Sequence, residues 1–302
     1  MLNALEAIRS DPAAKIFEVG GLVFAQFTCP AHEQPLGIWT QTDHFVHVLS
    51  GKSTWKTPAG ICCATAGETM FFKKGAYIMP SHFEEQLCVE LFFIPDSFVK
   101  ETVLELAADL PAISNPVDWR ELTIRVKKDV GLTAFFEAMT IYFAHSEKPP
   151  EALLKLKLKE LLASVLVGRS NPDLSAYLRS IATSDRPAIP AIMETNFQHN
   201  LSIDEFARMC NRSVSSFKRE FQKHYATSPG KWLLERRLQH SETLLQKTDM
   251  SVTEIAFHCG FEDLSHFSRA FKEKFGRSPS FHRRTSSNNI VQKEPAAAVN
   301  QI

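Results

Sequence analysis

The stretch Ser251-Val252-Thr253-Glu254-Ile255-Ala256 repeats, 49 residues on, the stretch Ser202-Ile203-Asp204-Glu205-Phe206-Ala207. Further along, Phe267-Ser268-Arg269-Ala270-Phe271 matches Phe217-Lys218-Arg219-Glu220-Phe221, and Ser278-Pro279 matches Ser228-Pro229, now at a spacing of 50. One residue inserted between two repeated blocks implies a turn, so each copy reads as a helix, a turn and a second helix. Two such units in tandem suit a protein that reads DNA at two neighbouring places.

Each copy opens with Ser-x-x-Glu, the pairing in which a hydroxyl and a carboxylate satisfy free backbone amides at a helix start. Apolar residues follow at helical spacing, Ile203, Phe206, Ala207 and Cys210 in one copy and Val252, Ile255, Ala256 and Cys259 in the other. In the second helices Phe217, Phe221 and Tyr225 are mirrored by Phe267, Phe271 and Phe275, rings four residues apart that face inward. The residues left facing outward are Ser215, Ser216, Lys218, Arg219 and Gln222, and then Leu264, Ser265, His266, Ser268, Arg269 and Lys272. Small polar side chains let the backbone approach base edges, and the fork of an arginine matches the major-groove acceptors of guanine. Arg219 and Arg269 hold the same place in both copies, which sets them apart from ordinary solvated charge.

Between the copies, the segment Pro229 to Lys247 reads as one helix, with Ser228 as its cap and Pro229 as its first residue. A helix of that length spans about 28 Å, close to the ~34 Å of one DNA turn. Trp232, Leu233, Leu238, Leu244 and Leu245 are expected to pack on both small bundles and fix their separation.

These residues carry a specific resemblance. Ser228-Pro229 with Trp232, Arg236-Arg237-Leu238 and Leu244-Leu245, then Glu254-Ile255-Ala256, Cys259-Gly260-Phe261, Arg269-Ala270-Phe271-Lys272, Phe275-Gly276 and Ser278-Pro279, resemble the AraC/XylS family of bacterial transcription regulators. The likeness covers roughly residues 187 to 284. It implies a seven-helix domain bound across two adjacent major grooves of double-stranded DNA, with base contacts from Ser215, Lys218 and Arg219 in the first motif. In the second motif it implies contacts from Leu264, Ser265, His266, Ser268 and Arg269. Two departures stand out. Ala226 occupies the place of Gly276 at a helix end that favours left-handed backbone, so the first motif is expected to end differently or to be less stable. Ser241 stands in the connecting helix where the family usually has alanine.

The chain of 302 residues, 44% of them hydrophobic, is long enough for two domains, and its net charge of zero conceals a split. Residues 186 to 302 carry 17 Lys+Arg against 12 Asp+Glu, a balance of +5; subtracting these from the totals of 34 and 34 leaves 17 against 22, or −5, for the rest. The basic, repeated part suits a polyanion, and the acidic part suits sensing or assembly. The domains are therefore placed at 1–183 (sensor and dimerisation) and 189–285 (DNA binding). A linker at 184–188 joins them, and 286–302 forms a disordered tail. Six cysteines without metal or redox spacing, no signal peptide and no apolar run of membrane-spanning length point to a cytoplasmic protein away from membranes.

Residues 16 to 99 read as short strands: Phe24 to Thr28, Phe45 to Leu49, Ser53 to Thr57, Thr69 to Phe72, Ile78 to Pro80 and Cys88 to Ile94. Hairpin turns are expected at Gly51-Lys52, Pro58-Ala59-Gly60, Ala66-Gly67-Glu68 and Lys74-Gly75, closing an antiparallel barrel or jelly roll. The run Val48 to Lys52 followed by Ala66-Gly67-Glu68, Pro80 and His82 resembles the cupin-like sensor half of many AraC/XylS members. The fold class expected is thus α+β and multidomain, a cupin-like antiparallel β-barrel with helices followed by an all-α domain with two helix-turn-helix motifs. His32, Glu33, His44, His47 and His82 lie in the barrel, but His44 and His47 are spaced too widely for a His-x-His metal pair and face opposite sides of a strand, so no metal or cofactor is expected.

Helical patterns follow near Asp96 to Asp109, Leu132 to His145 and Glu151 to Val167. The last carries Leu154, Leu158, Leu161, Leu162 and Val165, a broad apolar surface read either as the seam of a homodimer or as packing within the chain. Phe71-Phe72-Lys73-Lys74-Gly75-Ala76-Tyr77 and this helix also resemble the branch of the family that includes activators of type III secretion genes, in which the sensor half is controlled largely by protein partners. Many sugar-responsive members instead admit a small ligand. The expected function is a non-catalytic, sequence-specific transcription regulator, an activator with RNA polymerase as a partner, controlled by a ligand or a regulatory protein. The alternative is a cupin-type metal enzyme or ligand-binding protein with an accessory helical domain.

Overall fold

The computed structural model describes residues 1–29, 34–80, 87–112, 121–145, 147–183 and 188–283. His32, Glu33 and His82, residues 184–187 of the expected linker 184–188, and the expected tail at 286–302 lie outside the described residues. Packing divides the chain into one unit of Met1–Asn196 with Asp204–Val214 and a second of Phe197–Ile203 with Ser215–Ile302. Among the described residues no helix is long and apolar enough to cross a membrane.

The first unit begins with β1 (Leu2–Asn3), α1 (Ala4–Ser10), β2 (Lys15–Val19), β3 (Leu22–Cys29), β4 (Leu36–Thr40) and β5 (Asp43–Ser50). It continues with β6 (Lys52–Thr57), β7 (Gly60–Thr65), β8 (Thr69–Phe72), β9 (Gly75–Met79) and β10 (Leu87–Ile94). These strands, with β11 (Thr123–Val126), form two sheets of order β1-β4-β9-β6-β7 and β11-β8-β5-β10-β3-β2. The expected class holds, but the sheets do not close into a barrel. Each keeps its own edges, and the β1–β4 pair is parallel.

The expected turns explain part of this. Pro58-Ala59-Gly60 does join a hairpin, β6 to β7. Gly51, Gly67 and Lys74-Gly75 instead carry the chain from one sheet to the other, because β5 and β8 belong to the six-stranded sheet and β6, β7 and β9 to the five-stranded one. Gly51 and Gly67 take φ of 78° and 83°, and their corners are tied together by Ala66 N–H to Gly51 C=O (3.1 Å) and Gly67 N–H to Val48 C=O (2.8 Å).

The six-stranded sheet is buried on both faces, which is why its strands read as nearly continuous apolar runs. On one face Val23, Val46, Met70, Phe72 and Phe93 meet Trp55, Tyr77 and Met79 of the other sheet. On the other, Phe24, Phe45, Phe71 and Phe92 pack against four helices, α2 (Asp96–Glu105), α3 (Val130–Ala144), α4 (Glu151–Val167) and α5 (Pro172–Thr183). Leu154, Leu158, Leu161, Leu162 and Val165 all sit inside this core at 0–1% exposure. Of the two readings of α4, packing within the chain therefore takes these five side chains; the residues they would have offered to a partner are already covered.

A buried polar cluster pins α2 and α5 to the sheets. Asp43 accepts Lys74 N–H (2.7 Å) and the Tyr177 hydroxyl (2.8 Å), and Lys74 Nζ pairs with Asp96 (2.5 Å). Desolvation raises the Asp43 carboxyl above the ordinary range, against the pull of Lys74. The first unit also holds α6 (Ile189–Asn196) and α7 (Ile203–Met209). Asn196 accepts Ala76 N–H at 2.8 Å. Arg208 lies over the Trp39 ring, donates to Gln41 (2.8 Å) and pairs with Glu6 (2.9 Å), and Asn211 donates to Asp96 (2.9 Å). The apolar stripe that marks α7 as part of a motif carries no signal of these partners.

In the second unit, α8 (Val214–Tyr225) is followed by α9 (Pro229–Lys247), α10 (Val252–His258) and α11 (Leu264–Phe275). Helix α9 has the expected bounds, with Ser228 accepting Lys231 N–H and Pro229 in the first turn. Trp232 meets Phe221 and Tyr225 of α8 at 6.0 and 5.3 Å. Leu238 and Leu245 join Ile255, Cys259, Phe267 and Phe271 in a second core. Ser241 is fully buried in α9, and its hydroxyl donates to Leu238 C=O (2.7 Å), which accounts for a polar residue at an alanine position.

Candidate nucleic-acid interface

In the second motif, α10 and α11 both start at their cap signals. Ser251 and Glu254 form the full reciprocal cap of α10, at 3.1 and 2.6 Å. Asp263 caps α11 by accepting the amides of Ser265 (2.9 Å) and His266 (3.1 Å), and those bonds hold its carboxyl below the usual range. The second helices of the two motifs, α8 and α11, end alike. Gly276 has φ 76° and Ala226 φ 55°, with Gly276 N–H to Lys272 C=O at 2.8 Å and Ala226 N–H to Gln222 C=O at 3.0 Å. The different ending expected of the first motif is not seen; Ala226 adopts the left-handed conformation in spite of its Cβ.

The first two rings of each inward stripe are buried as expected, with Phe217, Phe221, Phe267 and Phe271 all at 0% exposure, while Tyr225 and Phe275 at the helix ends are half-buried. This turns the remaining faces outward. Ser215, Lys218, Arg219 and Gln222 are exposed on α8, and Ser265, His266, Arg269 and Lys272 on α11, with Leu264 and Ser268 half-buried. Ser216 departs from this set: it is half-buried and its hydroxyl donates to Glu220 one turn on (3.0 Å). The His266 ring lies edge-on to Phe261, 5.8 Å away, which fixes its direction. Arg219 and Arg269 have no hydrogen-bond or ion-pair partner among the described residues, so both guanidinium forks point to solvent with all donors available.

Two further features have only weak signals in the sequence. Asn211 and Gly260 stand 49 residues apart, the offset of the repeat at that point, and both are left-handed, with φ 53° and 81°. An Asn–Gly match at the turn is the signal that marks them. The other is Arg237, whose guanidinium donates to three backbone carbonyls rather than to a carboxylate.

In the first unit, His44 and His47 do face opposite sides of β5. His44 is sandwiched between Phe72 and Phe93, and His47 stacks on Phe136 of α3 and meets Thr69 Oγ1 at 2.9 Å. Burial pushes each imidazole down to about 4. Among the described residues no group of three or more His, Cys, Asp or Glu is placed to hold a metal ion. Between the sheets lies a cavity of about 590 Å³ lined by Ile8, Val46, Trp55, Tyr77, Met79 and Leu91 among others, predominantly apolar.

A sheet-rich unit followed by two outward-facing helices of duplicated helix-turn-helix pattern defines a DNA-binding transcription regulator with a regulatory N-terminal part. Residues 43–177 match the ExsA N-terminal regulatory domain, and residues 206–285 match a helix-turn-helix domain. The chain is 26% identical over 235 residues to the HTH-type transcriptional regulator ExsA of Pseudomonas aeruginosa, covering 77% of this chain and 83% of that protein. It is 23% identical over 284 residues to the virulence regulon transcriptional activator VirF of Yersinia enterocolitica, covering 94% and 98%. Apo ToxT from Vibrio cholerae aligns over 87% of this chain and 97% of its own, at 13% identity and a TM-score of 0.41. The chain thus carries an AraC-type helix-turn-helix domain after a region similar to the ExsA regulatory domain.

Proposed function

We propose that the protein activates transcription by setting α8 and α11 into successive major grooves on one face of its operator, with Arg219 and Arg269 as matched base readers. The observation that carries this reading is the pair of exposed guanidinium groups, without a partner among the described residues, at equivalent places of the two helices. Ser215, Lys218, Gln222, Leu264, Ser265, His266, Ser268 and Lys272 complete the two faces, and residues 189–285 act as the DNA-binding part. The protein catalyses no reaction; it works in the cytoplasm as a homodimer, with RNA polymerase as the partner of activation. Residues 1–183 hold the regulatory signal, and the apolar cavity between the sheets and the surface of the helical layer are the places for a ligand or a regulatory protein. The activator VirF, matched over nearly its whole length, supports the sign of regulation.

The test is selection of bound duplexes from a random pool by the full chain, followed by titration of Arg219→Ala and Arg269→Ala on the selected sequence and on unrelated DNA. Each variant loses affinity for the selected duplex alone, at a separate group of base pairs. Equal losses on both DNAs would reduce the arginines to phosphate contacts and overturn the assignment.

A further inference from the structure

Arg237 sits midway along α9, half-buried, and its planar fork is fully engaged by the backbone. Nε donates to Phe197 C=O at 2.8 Å, Nη2 to His199 C=O at 2.8 Å and Nη1 to Gly260 C=O at 3.0 Å. The chain is crowded at this point. A Cβ on Gly260 would lie 2.7 Å from Gln198 C=O and 3.2 Å from the Arg237 guanidinium carbon, and φ there is 81°. Arg236 lies over the Phe197 ring at 4.7 Å, and His240 meets the same ring edge-on at 5.5 Å, so one side of α9 grips the segment 197–199 over more than a turn.

We infer that Arg237 is a positioning residue that locks the second helix-turn-helix onto the connecting helix and thereby sets the separation of α8 from α11. Helix α9 is joined to α8 through Trp232, five residues before Arg237. Gly260 begins the turn that leads, three residues on, to Asp263, the cap of α11. Leu238 and Leu245 also hold α10 and α11 to α9, but apolar burial is non-directional and tolerates sliding. A guanidinium bound to three fixed carbonyls admits a single geometry, which a lysine with its point charge on a flexible stem cannot reproduce. The inference rests on the reading that both helices enter major grooves.

The experiment uses the full chain and the duplex it selects from a random pool, the same duplex with one or two base pairs inserted between the half-sites, and a duplex retaining only the half-site of α11. Titration by fluorescence anisotropy compares the wild type with Arg237→Lys and with Gly260→Ala, which keeps the guanidinium but places a Cβ against it and against Gln198 C=O, so that the grip must shift. With two sites linked rigidly, each variant should bind the intact duplex about tenfold more weakly, bind the single half-site within about twofold of wild type, and suffer a smaller penalty from insertion than the wild type does. Equal losses on intact and half-site duplexes, with the insertion penalty unchanged, would make Arg237 a general stabiliser and overturn the inference alone. A wild type indifferent to insertion would overturn the two-groove reading, and this inference with it. Loss of the helical circular dichroism in both variants also counts against the inference, since a group that only sets spacing leaves each motif folded.

Discussion

Among the described residues of the second unit, Arg219 and Arg269 differ from the other cations in being both repeated and unpartnered. On the selected duplex, removal of either fork should cost about 1–3 kcal/mol and relax the preference at its own base pairs, read by titration against single-base variants. Ala226 tests the backbone in the same way. Its φ of 55° costs an L-residue ~1–2 kcal/mol, while glycine costs about 0.4–1 kcal/mol in the unfolded chain. Ala226→Gly should therefore raise stability by roughly 0.5–1 kcal/mol, seen as a higher melting temperature; a lower one would contradict the strain. Glu90 is fully buried and bonded to Thr140 (2.9 Å), and burial pushes its carboxyl up to about 7 against the opposing pull of Thr140 and Gln26. A raised folded-state value means that the native protein holds a proton which the unfolded chain releases between its ordinary 4.5 and 7. The contribution of Glu90 is complete below pH 4.5 and lost as pH rises through 7, a change on the order of 3 kcal/mol. Glu90→Gln should flatten this, gaining on the wild type between pH 4.5 and 8 in urea unfolding. His44 and His47 titrate in the opposite sense in both proteins and cancel in the comparison. A constant difference across that range would contradict a buried, protonated Glu90.

At the scale of elements, legibility followed the density of local signals. Helix α9 was readable to the residue because Ser228-Pro229 opens it with a cap and a fixed φ, and α4 likewise because its leucines recur at helical spacing. The strands were partly readable, but a glycine corner between two sheets carries the same local chemistry as a hairpin, so Gly51, Gly67 and Gly75 were assigned to the wrong connection. Short elements with little pattern, such as β4, β7 and β11, were missed. The apolar face of α4 shows the limit most clearly, since periodicity reports that a face is buried and not what buries it. Leu158→Ala should cost about 2–5 kcal/mol in urea unfolding with no change in the oligomeric state at fixed concentration. A change in assembly with unaltered subunit stability would restore the seam. For the candidate site, the outward faces of α8 and α11 were legible because buried phenylalanines fixed the opposite side. Arg237 was not, because its partners are backbone carbonyls of two separate segments, 38–40 residues before it and 23 after it, and leave no pattern in the chain.

The whole molecule joins an acidic part of −5 to a basic part of +5, and only the second is suited to a phosphate backbone. Binding should accordingly weaken with salt, log affinity falling by about 0.9 per decade of salt for each phosphate neutralised, whereas a flat response would leave the basic balance without a role. The central claim, however, is geometric: two recognition helices carried by α9 meet DNA one turn apart. Dimethyl sulfate interference on the selected duplex tests it most directly, because methylation of guanine N7 blocks contacts in the major groove. The account predicts two clusters of interfering guanines, centred about 10 base pairs apart on one face, one abolished by Arg219→Ala and the other by Arg269→Ala. A single cluster, or two separated by about half a turn and so on opposite faces, would contradict it.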